Sequence, residues 1–272
     1  MKYTLPKRRS ATPSPAALTA WGWALAGALS GLLLATLVFA PARWLAAAVH
    51  QASGQQVSLL APRGSLWQGS AQLVLSGGLG SRDAMALPGQ LAWRIRPAWS
   101  GAVAHISAAC CTPQPLQLKA ALVGWGGLRL TLADGQSQWP ASLLGGLGTP
   151  WNTVQPQGQL VASTQGFYAE WIKGRLNLAG RVQLDATQIS SRLSTLQPMG
   201  SYRLTLLGGP TASLQLDTLE GSLQLTGQGQ WVGQRLRFDG VASAAPERVE
   251  ALSNLLNIIG RRNGARAIIK VG

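Results

Sequence analysis

The residue types that carry most enzyme chemistry are few in this chain and poorly spaced for it. His50 and His105 are its only histidines, far apart in sequence, whereas a metal centre needs imidazoles, thiolates or carboxylates brought together in threes and fours. The nine Asp and Glu residues include no pair at the spacing of an acid–base or metal motif. "GLGSRD" and "GGLGTP" are rich in glycine but lack the strand-to-helix setting that gives a phosphate loop its anion-binding amides. His105 lies in the alternating stretch "AVAHISA" and reads as a partly exposed strand histidine. No catalytic residue, cofactor-binding residue or metal ligand is expected, and the chain reads as a non-enzyme.

Cys110 and Cys111 are the only cysteines. Three states are open to them: two buried thiols packing as small apolar groups, a vicinal bridge, or bonds to another chain. In none of these does the pair read as a redox site.

Charge and hydropathy say more. The 272 residues carry 23 Lys and Arg against 9 Asp and Glu, a net charge of +14, and the first acidic residue is Asp83. No charge lies between Arg9 and Arg43, and "AWGWALAGALSGLLLATLVFA" (20–40) supplies the ~20 apolar residues that a helix needs to cross a bilayer. Trp21 and Trp23 at one end, and Arg43 with Trp44 at the other, suit the two interfaces. Lys2, Lys7, Arg8 and Arg9 precede the span, so the positive-inside bias leaves residues 1–19 as a cytoplasmic tail and exports the rest. A cleaved signal is the competing reading, because Ala40-Pro41-Ala42 resembles a cleavage site. An uncleaved anchor is the reading adopted, since the apolar run is long, Pro41 interrupts the site, and 41–53 continues as a helical extension.

From residue 54 the pattern changes to short runs of alternating polarity separated by Gly, Pro, Ser and Gln. In "QLAWRIR" (90–96), Leu91, Trp93 and Ile95 face one way while Ala92, Arg94 and Arg96 face the other. "LQLKAAL", "GLRLTLA", "SYRLTLL", "ASLQLDT", "GSLQLTG" and "QRLRFDG" repeat the pattern. The spacing predicts a mainly β fold over 54–272: an antiparallel sheet that is curved, sandwiched or an open barrel, without the crossovers of a parallel α/β fold. "GSLWQGSAQLVL", "GRLNLAGRVQLDA" and "GSLQLTGQGQWVG" echo one another, as repeated hairpins or as the common texture of a Gly/Leu/Gln-rich β-protein.

One amphipathic helix is expected near the C-terminus, over 246–262. Pro246 suits its first turn, Glu247 and Glu250 its positive end, and Arg261 and Arg262 its negative end. Val249, Leu252, Leu255, Leu256 and Ile259 form one apolar stripe, either packing on the sheet or docking a partner. "RAIIKVG" then returns as a closing strand.

The ordered segments "PRGSLWQGSAQL" (62–73), "LAWRIRP" (91–97), "LSTLQPMGSYRL" (193–204), "GQGQWVGQRLRF" (227–238) and "AAPERVEALSNLLNIIGRRNGARAIIKVG" (244–272) resemble the general secretion pathway protein N family, the N component of type II secretion systems. The resemblance implies a Gram-negative inner-membrane protein with a periplasmic domain, working in the machine that exports folded proteins. Its expected partners are other secretion subunits, in the inner-membrane platform or the outer-membrane secretin, and the membrane itself through 20–40. Nucleic acid is not expected outside the cytoplasm, despite a sequence pI near 11.4. The alternative is an AsmA-like envelope module that binds or transfers lipid on an apolar sheet face.

Overall fold

The computed structural model describes residues 15–124, 126–233 and 235–272, with side chains from Trp21 onward. The cations expected to form the cytoplasmic tail, Lys2, Lys7, Arg8 and Arg9, lie outside the described residues. The chain divides into two compact units that meet in sequence at Ala40 and Pro41.

The first unit is the helix α1, Pro15–Val38. From Trp21 to Val38 it is apolar on all sides and exposed, and it is long enough to cross a membrane by length and composition. The second unit begins with α2, Ala42–Ala52. Its remaining elements are almost all strands: β1 Val57–Gly64, β2 Gln68–Ser76, β3 Ala84–Ala86, β4 Leu91–Ala98, β5 Gly101–Ala108, β6 Leu116–Val123, β7 Gly127–Leu132 and β8 Gly135–Pro140. A 3-10 segment, Ala141–Leu147, and the short α3, Trp151–Val154, follow. Then come β9 Gln157–Ile172, β10 Arg175–Ser190, β11 Gly200–Gly209, β12 Ser213–Gly221, β13 Leu223–Val232 and β14 Arg235–Ala244. After a 3-10 turn the chain ends in α4 Val249–Ile259, β15 Arg261–Asn263 and β16 Arg266–Val271.

All strands join one 16-stranded sheet in the order β1-β2-β4-β5-β6-β7-β9-β10-β11-β12-β13-β14-β16-β15, with β3 beside β2 and β8 beside β9. Every pairing is antiparallel, and the sheet stays open, ending at β1 and β15. It is therefore one continuous sheet and not a closed barrel.

The alternating sequence sorts side chains onto two faces because paired residues share a side of the sheet. Leu184, Leu204 and Leu216 form one cross-strand row, and Val182, Leu206 and Leu214 the next. One residue along, Asp185, Arg203 and Asp217 line up on the opposite face. Phe238 shows how closely the apolar face is fitted: a Cβ on Gly227 would lie 2.4 Å from its ring, and one on Gly240 2.9 Å, so these glycines leave the room the ring fills.

β9 and β10 are each 16 residues long, and the register jumps between Ala179↔Tyr168 and Arg181↔Gln165. Gly180, at φ +81, makes this offset possible, since a Cβ there would meet the Gly166 carbonyl at 2.3 Å. The offset lets two consecutive strands share one neighbour: β7 pairs with the later part of β9 and β8 with the earlier part. Thr164 Oγ1 donates to the Ala133 carbonyl at 2.8 Å and the Gly166 amide donates to Asp134 Oδ1 at 2.6 Å, which pins the β7–β8 corner.

The largest core lies under α4. Leu252, Leu255 and Leu256 are 0–1% exposed and pack with Tyr202, Leu223, Ala242, Ala244 and Ala267; Val249 and Ile259 are partly buried against the same cluster. The helix is shorter than the expected 246–262. Pro246–Arg248 is a 3-10 turn, and Gly260 is fully extended, so Arg261 and Arg262 continue as β15 instead of closing the helix. The closing strand β16 pairs with β14 from Ser243↔Arg266 to Phe238↔Val271. Toward β1 the cores are small: Ala42, Ala71 and Trp93 under α2, and Leu87, Ala108, Cys111 and Leu143 near the 3-10 segment.

Candidate functional site

β1, β2, β4 and β5 bring four nitrogen-rich side chains to one cleft. Gln68 pairs with Arg94, Arg94 with His105, Arg63 with Ser70, and Ala92 with Ser107. These residues therefore share the polar face. Together with Arg96 they line an open cleft of about 700 Å³, a volume within the roughly 300–1,000 Å³ typical of small-molecule sites. No carboxylate lines it, and no ion pair reaches Arg63, Arg94 or Arg96 among the described residues.

Below the cleft, Trp93 is 4% exposed and its indole Nε1 donates to the carbonyls of Ser65 and Leu66, at 3.3 and 3.1 Å, which fixes the β1–β2 turn over β4. Planar guanidinium groups fork onto oxygen pairs of carboxylates and phosphates. The cleft thus presents guanidinium donors of the kind that pair with such anions. Among the described residues no hydroxyl is hydrogen-bonded to the His105 ring, so the pairing of nucleophile and base that activates a serine is missing.

The other charged groups are arranged differently. Arg203 grips Asp185 through Nε–Oδ1 at 2.7 Å and Nη2–Oδ2 at 2.8 Å. This bond to Arg203 holds the Asp185 carboxyl below its usual range, and the Arg203 guanidinium is shifted up by the same bond. Arg129 joins β7 to β9 by an ion pair with Glu170 at 2.7 Å and lies 4.9 Å from the Tyr168 ring centre. Burial raises the Tyr202 hydroxyl above the ordinary phenol range, and that hydroxyl donates to the Leu223 carbonyl at 3.1 Å.

His50 Nδ1 lies 3.0 Å from Ser58 Oγ, tying α2 to β1, and is not brought near His105's cleft lining. Cys110 and Cys111 form a vicinal disulfide, S–S 2.09 Å, so neither the free-thiol state nor the intermolecular one describes them here. The pair sits in a turn in which the Cys111 and Thr112 amides both donate to the Ala108 carbonyl. Cys111 is buried there and Cys110 exposed. Among the described residues no three His, Cys, Asp or Glu side chains gather as a metal site.

The sheet edges are blunted. Ala61 takes a left-handed conformation, φ +48, in a bulge that breaks the β1 register between Leu60 and Arg63, and Pro62 has no amide hydrogen to offer a further strand. At the far side β15 is only three residues long.

An open antiparallel sheet with polar and apolar faces and a helix packed on one end defines a mainly β class of protein. The chain belongs to the type II secretion system (T2SS) protein N family, whose sequence model matches residues 55–269. No curated protein and no solved structure matches it.

Proposed function

We propose that this chain is an inner-membrane-anchored, non-enzymatic component of the type II secretion machinery. It holds its β-sheet unit on the periplasmic side and offers it to other secretion subunits, in the inner-membrane platform or the outer-membrane secretin. The family match over 55–269 carries the reading, and the apolar helix through Trp21–Val38 supports the anchor. The mechanism is positional. One span restricts the sheet to a thin layer beside the membrane and raises its effective concentration toward neighbouring subunits.

Strand addition is a poor docking mode for this protein, because β1 carries a bulge and a proline and β15 is short. The faces and turns of the sheet are the better candidates. The stripe Val249, Leu252, Leu255, Leu256 and Ile259 belongs in this reading to the core, since its three central leucines are closed off from solvent.

Full-length chain captured against each purified secretion subunit tests the proposal. Specific capture of at least one subunit is expected, and capture of none would reject it. Reporter fusions check the orientation: those active only outside the cytoplasm should be silent after Arg9 and active after Gln51. A second reading, a lipid-holding module, has one observation in its favour: Val182, Leu206 and Leu214 form an apolar row that is only partly buried. Acyl chains extracted in near-stoichiometric yield from purified protein would favour it.

A further inference from the structure

The sheet has two unlike ends. β4, β6, β9, β11 and β13 alternate along the sheet with β5, β7, β10, β12 and β14, and all pairings are antiparallel. The five hairpin turns joining these pairs therefore lie at one end of the sheet. The β1–β2 turn lies there too, because β2 runs against β4 with Gln68 opposite Arg94.

That end is apolar and cationic. Trp99, in the β4–β5 turn, is fully exposed at 107%, and Leu122, Leu128, Trp171 and Leu176 form one cross-strand row spanning four strands, 38–70% exposed. Val232 is exposed beside the β13–β14 turn. The segments 95–104, 120–128, 171–178, 206–214 and 230–237 contain Arg96, Lys173, Arg175, Arg235 and Arg237 and no Asp or Glu, and Arg129, just inside them, is neutralised by Glu170 opposite it. Of the exposed acids, Glu220, Glu247 and Glu250 stand at or near the opposite ends of the strands and Asp134 at the β7–β8 corner, while Asp239, further along β14, faces Lys270 at 3.8 Å.

Exposed tryptophan and leucine at turn tips, ringed by Lys and Arg, match a bilayer interface, where indole rings settle at headgroup depth and cations meet anionic lipid phosphates. Covalent continuity points to the same occupant. The span ends at Val38, and Pro41, three residues on, bridges to Ser65 in the β1–β2 turn at this end. Three residues reach about 10 Å.

We propose that the hairpin end of the sheet seats on the anionic bilayer surface from which the chain emerges. Trp99 and the Leu122–Leu128–Trp171–Leu176 row enter the interface. Lys173, Arg175 and Arg235 meet headgroup phosphates, and Arg63, Arg94, Arg96 and His105 hold one such phosphate in the adjoining cleft. The inference rests on the anchor reading above and adds an orientation and a lipid contact to it.

Site-directed spin labelling tests it on the full chain. The two native cysteines are joined, so a single introduced thiol takes the label in Trp99→Cys, Leu122→Cys or the opposite-end control Glu247→Cys. The variants are placed in vesicles of three parts phosphatidylethanolamine to one part phosphatidylglycerol. Labels at 99 and 122 should be more accessible to oxygen than to a water-soluble nickel chelate, with the reverse at 247. Lys173→Gln/Arg175→Gln/Arg235→Gln should return the label at 99 toward the aqueous pattern, as should vesicles of phosphatidylcholine alone. Water-exposed labels at 99 and 122 in a chain that still resists carbonate extraction would overturn the inference and leave the anchor standing. A chain that carbonate releases would overturn both.

Discussion

The two halves of the sheet treat their charges and apolar side chains in opposite ways. From residue 41 to 133 there are seven Lys and Arg and one acid, Asp83; from 134 to 272 there are twelve and eight. In the second half cations find carboxylates, as in Arg203–Asp185 and Lys270–Asp239, and the largest apolar cluster is sealed by α4. In the first half the arginines of the cleft face solvent without ion pairs, and the apolar clusters contain three or four buried residues each. Arg129–Glu170, on the seam between β7 and β9, is the last place where a cation of the first half is neutralised. The difference teaches that one sheet can concentrate its sealed core and most of its ion pairs in one stretch while another keeps small cores and unpaired arginines.

The largest expected effect is in the sealed half. Leu255→Asp or Leu256→Asp puts an unpaired carboxylate into a site 0–1% exposed and should cost several kcal/mol, comparable with the roughly 5–15 kcal/mol stability of a domain. A melt of the purified full chain should show its cooperative transition lost or strongly lowered. A normal transition would mean that the stripe is a docking surface and would break the comparison.

Gly227→Val should come next. Its side chain would collide with the Phe238 ring and cost ~1–3 kcal/mol by overpacking, read as a lowered midpoint in denaturant. Tyr202→Phe removes the hydroxyl that donates to the Leu223 carbonyl and should cost ~1 kcal/mol. Because Tyr202 titrates higher in the fold than in the unfolded chain, its contribution is complete below the ordinary phenol pKa. It fades as pH rises above it, and Tyr202→Phe should flatten that alkaline decline.

Smaller still is the Asp185–Arg203 pair, partly exposed and worth at most ~1 kcal/mol. Asp185 titrates below its usual value in the fold, so its contribution is present above the ordinary carboxylate pKa. It disappears as pH falls through the lowered one, and Asp185→Asn should remove that acid dependence. Arg94→Gln/Arg96→Gln should leave the melting midpoint unchanged or slightly raised, because two neighbouring like charges are relieved. A clear loss of stability would show that the cleft is structural.

Period-two alternation made Arg94 and Arg96 legible as one wet face and Trp93 as the buried neighbour, because that information is local to a strand. Membership in a mainly β fold and the apolar stripe of α4 were legible for the same reason. The open sheet was not, since nothing local tells a curved sheet from a closed one. The gathering of Arg63 and His105 with Arg94 depends on non-local register across β1, β2, β4 and β5. The shared edge of β9 depends on an offset that Gly166 and Gly180 permit but do not announce. The end of α4 moved because Gly260 extends and the sheet's last pairing takes Arg261–Asn263. The joining of Cys110 to Cys111 was one of three states compatible with adjacency.

Amide hydrogen exchange on the full-length protein tests the separation of the two halves most directly. Local opening follows the amount of buried apolar contact around each strand. β11, β13, β14 and β16, which line the α4 cluster, should exchange only with global unfolding, whereas β2, β4, β5 and β6 should exchange earlier through smaller openings. Equal protection across the sheet, or slowest exchange in β4–β6, would contradict the account.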